Sequence, residues 1–294
     1  MEKRLYELTN GEITIAVSNC GAELHSVQKD GAEYLWQAGV PGLWKRHSPV
    51  LFPFVGRFTD GKYKLHGKEY PMTIHGFCQE AMFDMVSREE NRLVFELTDT
   101  DETYAVYPFH FEFRVAYELT GSSIAITYRV QNFSEEVMYF GLGAHPGFKV
   151  PLEEGLAFED YYLEFKDVCE PDRVIFSANA LVDTPRPHYP LEGGRRIPLH
   201  HDLFDDDAVV LEHMGDEMRL ASDRGTRSLT FHFPQMPYLG LWHTVKTAAP
   251  FLCVEPWVTL PSREGIVEDF ACRSDLIRLP ADEAYCNTWS ISLT

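Results

Sequence analysis

The chain has 294 residues, 45% of them hydrophobic and 24% charged, which excludes a disordered segment and a fibre. With 26 Lys and Arg against 45 Asp and Glu, its formal charge is −19. Binding to phosphate backbones needs a basic footprint, so the balance argues against nucleic acid and anionic membrane faces as partners. It favours a neutral small-molecule ligand.

In chain order, Met1 to Glu7 carries no apolar export signal. No run of about 18 apolar residues follows to span a membrane. The expected compartment is a reducing cytoplasm. Ile13, Ile15 and Val17 alternate with Thr14, Ala16 and Ser18, the period of a half-buried strand. The pattern is clearest from Phe111 to Leu119 and again from Ile124 to Val130. Thr120-Gly121-Ser122-Ser123 breaks it, which predicts a β-hairpin. Residues 183–202 are rich in Pro, Gly, His and Arg and read as a long surface loop. Alternation resumes at Ala208-Val209-Val210-Leu211, at Leu229, Phe231 and Phe233, and at Trp289, Ile291 and Leu293. No stretch holds helical spacing over three turns, and 18 Pro and 20 Gly punctuate the chain. At roughly 150 residues per domain the length admits two domains, but β-domains of roughly 250 residues are common. The recurring strands predict one all-β domain over residues 1–294, a sandwich or barrel.

Six cysteines, at 20, 78, 169, 253, 272 and 286, form no C-x-x-C and read as buried free thiols. Asn132-Phe133-Ser134 is a sequon without an export signal, and reads as chance. H-E-x-x-H, G-x-S-x-G and the P-loop are absent, and Gly141, Gly143 and Gly147 have the wrong spacing for a dinucleotide loop. The 12 histidines include no H-x-H pair; His200 and His201, if on a strand, would face opposite ways. No metal site and no cofactor are predicted.

Five segments place polar groups inside apolar or turn-rich sequence. Arg57 ends Pro53-Phe54-Val55-Gly56, either as a multi-donor fork for ligand hydroxyls or as a surface strand cap. His75, in Ile74-His75-Gly76-Phe77, is a turn residue or a ligand contact. His145, in Gly143-Ala144-His145-Pro146-Gly147-Phe148, is held by a following proline, which suits a rigidly presented proton donor. Asp207 abuts the apolar run from Ala208 and is the one of Asp205, Asp206 and Asp207 expected to point inward. Calcium is conceivable there, but the Gly and distal Glu of an EF-hand are missing. Glu255 follows Phe251-Leu252-Cys253-Val254 and precedes Pro256-Trp257. A buried Glu needs a partner or a task, and desolvation would make it a stronger base.

Taken in order, these segments resemble the aldose 1-epimerases (galactose mutarotases), and more narrowly their LacX-like branch. The resemblance implies a β-sandwich of the galactose-mutarotase type and a cofactor-free isomerase that interconverts sugar anomers. It implies Glu255 as general base and His145 as general acid. Arg57, His75 and Asp207 would hold the sugar, with Asp206 an alternative to Asp207, and Trp257 would stack on sugar C–H faces. The acidic protein field would help keep His145 protonated. Three departures fall in the sugar pocket: Gly56 where the family commonly has Asn, Phe77 where it has Gly, and Gly147 where it has an aromatic. Two other readings stand beside this one. The first is a non-catalytic carbohydrate-binding or sensing protein. The second is a hexose-6-phosphate 1-epimerase, which would need Arg57 to converge with Lys45, Arg46 or the Arg195-Arg196 pair. The sequence leaves oligomeric state open.

Overall fold

The computed structural model describes residues 2–294. Two large sheets dominate. The larger has nine strands in the spatial order Arg196–Pro198, Tyr161–Phe165, Glu217–Ser222, Leu229–His232, Ala284–Leu293, Ser123–Asn132, Phe111–Thr120, Arg92–Thr98 and Asp84–Arg88. Its centre is the hairpin expected from period two. Phe111–Thr120 and Ser123–Asn132 pair antiparallel from Phe111 opposite Asn132 to Thr120 opposite Ser123. Alternate residues of the second strand are buried, as period two requires when one face meets a core.

The second sheet runs Asp172–Val174, Val209–Glu212, Tyr238–Trp242, Phe251–Trp257, Gly143–Ala144 and Val50–Leu51, with Gly147–Lys149 also paired to Phe251–Trp257. Leu239, Leu241, Leu252 and Val254 of this sheet join Phe113, Val115 and Ile126 of the larger one in a shared core. Phe251–Trp257 differs from an ordinary sandwich strand in being buried at every position. Leu252 and Val254 face the shared core, while Phe251 and Cys253 pack with Trp36, Trp44 and Trp242 on the other side. The segment spanning residues 36–44 therefore covers part of the sheet's outer face.

Several local expectations need correction. The 183–202 segment is not all loop, because Arg196–Pro198 adds to the edge of the nine-stranded sheet beside Tyr161–Phe165. His201 opens a short 3-10 turn, His201–Phe204, rather than a strand. One α-helix, Asp101–Val106, escaped the periodicity search because it is under two turns long; Thr100 and Thr103 cap it reciprocally. The six cysteines are free, but only Cys78 and Cys253 are fully buried, and Cys272 and Cys286 are exposed. Asn132 of the sequon is buried, its amide donating to the carbonyls of Glu136, Leu279 and Pro280, so it is a structural residue. Among the described residues no helix is long and apolar enough to cross a membrane.

Ile126 is 1% exposed at the centre of the shared core. Ile126→Ala is expected to lower unfolding free energy by about 2–5 kcal/mol, measured by chemical denaturation, through lost transfer energy and the cavity left behind.

Candidate active site

The outer face of Phe251–Trp257 carries the chemistry. Counting by twos from Phe251 puts Cys253, Glu255 and Trp257 on that face. Glu255, 2% exposed, sits opposite Gly240 of the neighbouring strand. His145 lies in the short link between Gly143–Ala144 and Gly147–Lys149, both of which pair with Phe251–Trp257. Its Nε2 is 3.4 Å from Glu255 Oε2. Both groups line a cavity of about 350 Å³, within the range of small-molecule sites.

All six residues picked out from the sequence line this cavity: Arg57, His75, His145, Asp207, Glu255 and Trp257. Among the three aspartates only Asp207 lines this cavity, with φ +84°; Asp205 and Asp206 are exposed and line an adjoining pocket that Asp207 shares. His75 is clamped to Gly56 in both directions. Its backbone N–H donates to Gly56 O at 2.9 Å, and Gly56 N–H donates to its Nδ1 at 3.1 Å. With Nδ1 an acceptor, the neutral ring carries its proton on Nε2 and is a donor. Arg57 is exposed at the rim, and its guanidinium has no hydrogen-bond or ion-pair partner among the described residues.

Trp44 and Trp242 were missed, and Arg46 was singled out only for the hexose-phosphate reading. The Trp44 ring stacks on His145 at 4.7 Å between centroids, and Trp242 meets the same imidazole edge-on at 5.8 Å. Arg46 lines the cavity and is tied to the Gln79 carbonyl and the Glu80 carboxylate. The signal for Trp44 was its counterpart: a Cβ on Gly147 would lie 2.9 Å from the Trp44 ring, so the absent side chain makes room for the indole. Gly56 is explained similarly, since a Cβ there would lie 2.3 Å from the Pro261 ring, another part of the cavity wall.

The electrostatics follow from dryness. Burial pushes Glu255 well above the ordinary carboxylate value, the Asp207 charge adds to this, and the Trp257 indole opposes it. Burial pushes His145 well below the ordinary imidazole value, helped by His75 and Arg46. This reverses the expectation that the acidic protein field keeps His145 charged; desolvation and the Arg46 charge outweigh a diffuse net charge. His75 is lowered to about 3 by burial and by the Arg57 and Arg46 charges, so it is neutral. Glu255 Oε2, His145 Nδ1 and Trp257 Nε1 are buried without a hydrogen-bond partner in the protein. Such orphaned groups on one cavity wall are positioned to be satisfied by a hydroxyl-rich ligand.

Behind the wall, buried Glu23 accepts hydrogen bonds from the backbone N–H groups of His47 and Ser48, at 2.9 and 3.1 Å. The same segment accepts from the His145 loop: His145 N–H donates to Pro49 O and Gly147 N–H to His47 O. Glu23 thus holds the strip that carries Trp44 and Arg46 and against which His145 is registered.

Comparison with known proteins agrees with the motifs. The sequence model of the aldose 1-epimerase family matches residues 4–267. The plasmid-encoded protein LacX of Lactococcus lactis subsp. lactis is 34% identical over 276 residues, which cover 90% of this chain and 91% of LacX. A solved galactose mutarotase related enzyme from Lactobacillus acidophilus superposes with a TM-score of 0.94 at 32% identity, covering 99% of this chain and 97% of that one. A galactose mutarotase-like protein from Lactobacillus casei gives 0.93 at 30% identity, covering 99% and 100%.

Burial alone would raise Glu23, but its bonds to His25 and to the His47 and Ser48 amides leave it lower than the usual 4.5. Its stabilisation is therefore complete above pH 4.5 and is lost as pH falls through the lower folded value. Glu23→Ala should cost about 1–3 kcal/mol for each amide left unsatisfied. Glu23→Gln, which keeps one acceptor oxygen, should retain most of the stability and lose that pH dependence. Denaturation curves across pH read both.

Proposed function

The chain belongs to the aldose 1-epimerase family, and from that premise we propose that it is a mutarotase interconverting the α and β anomers of an aldose by acid/base ring opening. One observation carries the reading: a buried carboxylate and imidazole, 3.4 Å apart, open onto a sugar-sized cavity. Opening a hemiacetal requires a base for the C1 hydroxyl proton and an acid for the ring oxygen. Glu255 takes the first proton as the C1–O double bond forms. His145 donates its proton to the ring oxygen as the C1–ring-oxygen bond breaks. Rotation about C1–C2 presents the other carbonyl face, and closure runs the same transfers backwards. The step is redox-neutral, and both protons return.

With Glu255 raised and His145 lowered by burial, the pair's shared proton is favoured on Glu255, a neutral acid beside a neutral imidazole. Transfer of that proton to His145 gives the reactive carboxylate and imidazolium without changing the net charge of the pair. Sugar hydroxyls donating to Glu255 replace the hydration it lacks and favour that transfer. A carboxylate with raised proton affinity is also the stronger base once ionised. His75 Nε2–H and Arg57 are donors for ring and hydroxyl oxygens, Asp207 accepts from sugar hydroxyls, and Trp257 lies against the ring's C–H face.

The hexose-phosphate reading retains one observation in its favour: Arg46 and Arg57 both line the cavity. Arg195 and Arg196 do not contribute. Arg195 is spent on the Phe165 carbonyl, and Arg196 pairs with Glu164 and Asp223 at the sheet edge. A purely sugar-binding protein would use the same contacts without exchange.

Two-dimensional exchange NMR on free and phosphorylated sugars tests these readings together. Glu255→Gln is expected to lose at least about 100-fold in exchange rate while remaining folded. An unchanged rate would remove Glu255 from the mechanism, and sugar affinity without exchange would mark a binding protein. Tighter binding of sugar phosphates at low salt would favour the phosphate reading. The pH profile is a second test. The active pair carries one proton, so with Glu255 raised and His145 lowered the alkaline limb of kcat/KM follows the ionisation of Glu255 and the acid limb that of His145. Asp207→Asn removes one cause of the rise in Glu255, so the alkaline limb should move to lower pH, whatever happens to KM.

A further inference from the structure

We propose that His145, Cys253 and Glu255 form a capture site for one thiophilic divalent cation, such as Zn²⁺ or Cd²⁺, and that its occupation shuts off the acid/base pair. One ligand atom from each residue lies within 4.8 Å of the others. The 3.4 Å between His145 Nε2 and Glu255 Oε2 matches the ligand–ligand edge of a tetrahedral site with bonds of about 2.0–2.1 Å. Cys253 has no part in the proposed ring opening. It lies on the same face of the strand, two residues before Glu255, and is fully buried.

Three nitrogen, oxygen and sulfur ligands with a fourth position open to a cavity make the donor set of a soft or borderline dication. Charge balance favours it as well. A dication held by a thiolate, a carboxylate and a neutral imidazole is neutral overall, which suits a site where isolated charges are costly. Binding forms the metal–sulfur, metal–oxygen and metal–nitrogen bonds and releases two protons, one from the Cys253 thiol and one from the Glu255 carboxyl. A second cluster, Glu23, His25 and His47, is the weaker candidate. Glu23 is already committed to two backbone amides, and the Arg46 guanidinium stands 3.9 Å from its other oxygen.

The inhibition rests on the acid/base reading above; the binding does not. The test titrates the full chain, in a Cys272→Ser, Cys286→Ser background, with Cd²⁺ and then Zn²⁺. The thiolate-to-cadmium charge-transfer band and anomer exchange are followed in parallel. One equivalent should bring up the band and abolish exchange together, and a chelator should reverse both. Cys253→Ser, with Cys253→Ala as a second variant, should keep exchange and weaken binding and inhibition by at least about 10-fold. Absence of the band, inhibition of both Cys253 variants at the parent's metal concentration, or loss of binding through His25→Ala or His47→Ala instead would overturn the proposal. If the parent protein exchanges no sugar, the proposed function fails, while the band and its dependence on Cys253 still decide the site.

Discussion

The site depends on one constraint: the strand Phe251–Trp257 is covered on both faces. Strands of a sandwich usually pair one face with the core and leave the other to water. Here the second face is roofed by Trp36 and Trp44. A carboxylate placed there by alternation is 2% exposed and meets solvent only through the cavity. Its raised proton affinity, the lowered affinity of His145 and the orphaned polar atoms are consequences of that roof. The same burial lets a protein of net charge −19 hold an imidazole whose proton affinity is lowered, chiefly by desolvation.

Much of this was legible in the sequence, for identifiable reasons. Period two survives in strands with one wet face, so Ile13–Ser18, the hairpin around Gly121 and the C-terminal strand were found. A Glu within Phe-Leu-Cys-Val and before Pro-Trp is anomalous by composition, and Glu255 was found for that reason. Asp207 was preferred to Asp206 because it adjoins the apolar run, with Asp206 left as an alternative.

What escaped detection lacked such signatures. Trp44 lies in a loop without periodicity, and its place in the site comes from stacking on His145, about 100 positions away in the chain. Arg196–Pro198 is three residues long, too short for a pattern. The helix at 101–106 is shorter than the window that would reveal it. The error about His145 was one of scale. Net charge is a property of the whole surface, whereas proton affinity in a dry pocket is set by desolvation and by charges a few ångströms away.

The chain of contacts from Glu23 through the His47 and Ser48 amides to the His145 loop, and from there to Glu255, joins segments drawn from the whole length of the polypeptide. No local fragment contains them. Closing such non-local contacts is the slow part of assembling a β-protein, because loop entropy is lost before the contacts compensate for it. Secondary structure and much of the larger sheet can therefore be in place while the acid/base pair is still unformed. In a refolding experiment, recovered turnover would report the docking of Glu23 onto the His47 and Ser48 amides, a later event than the growth of far-ultraviolet dichroism.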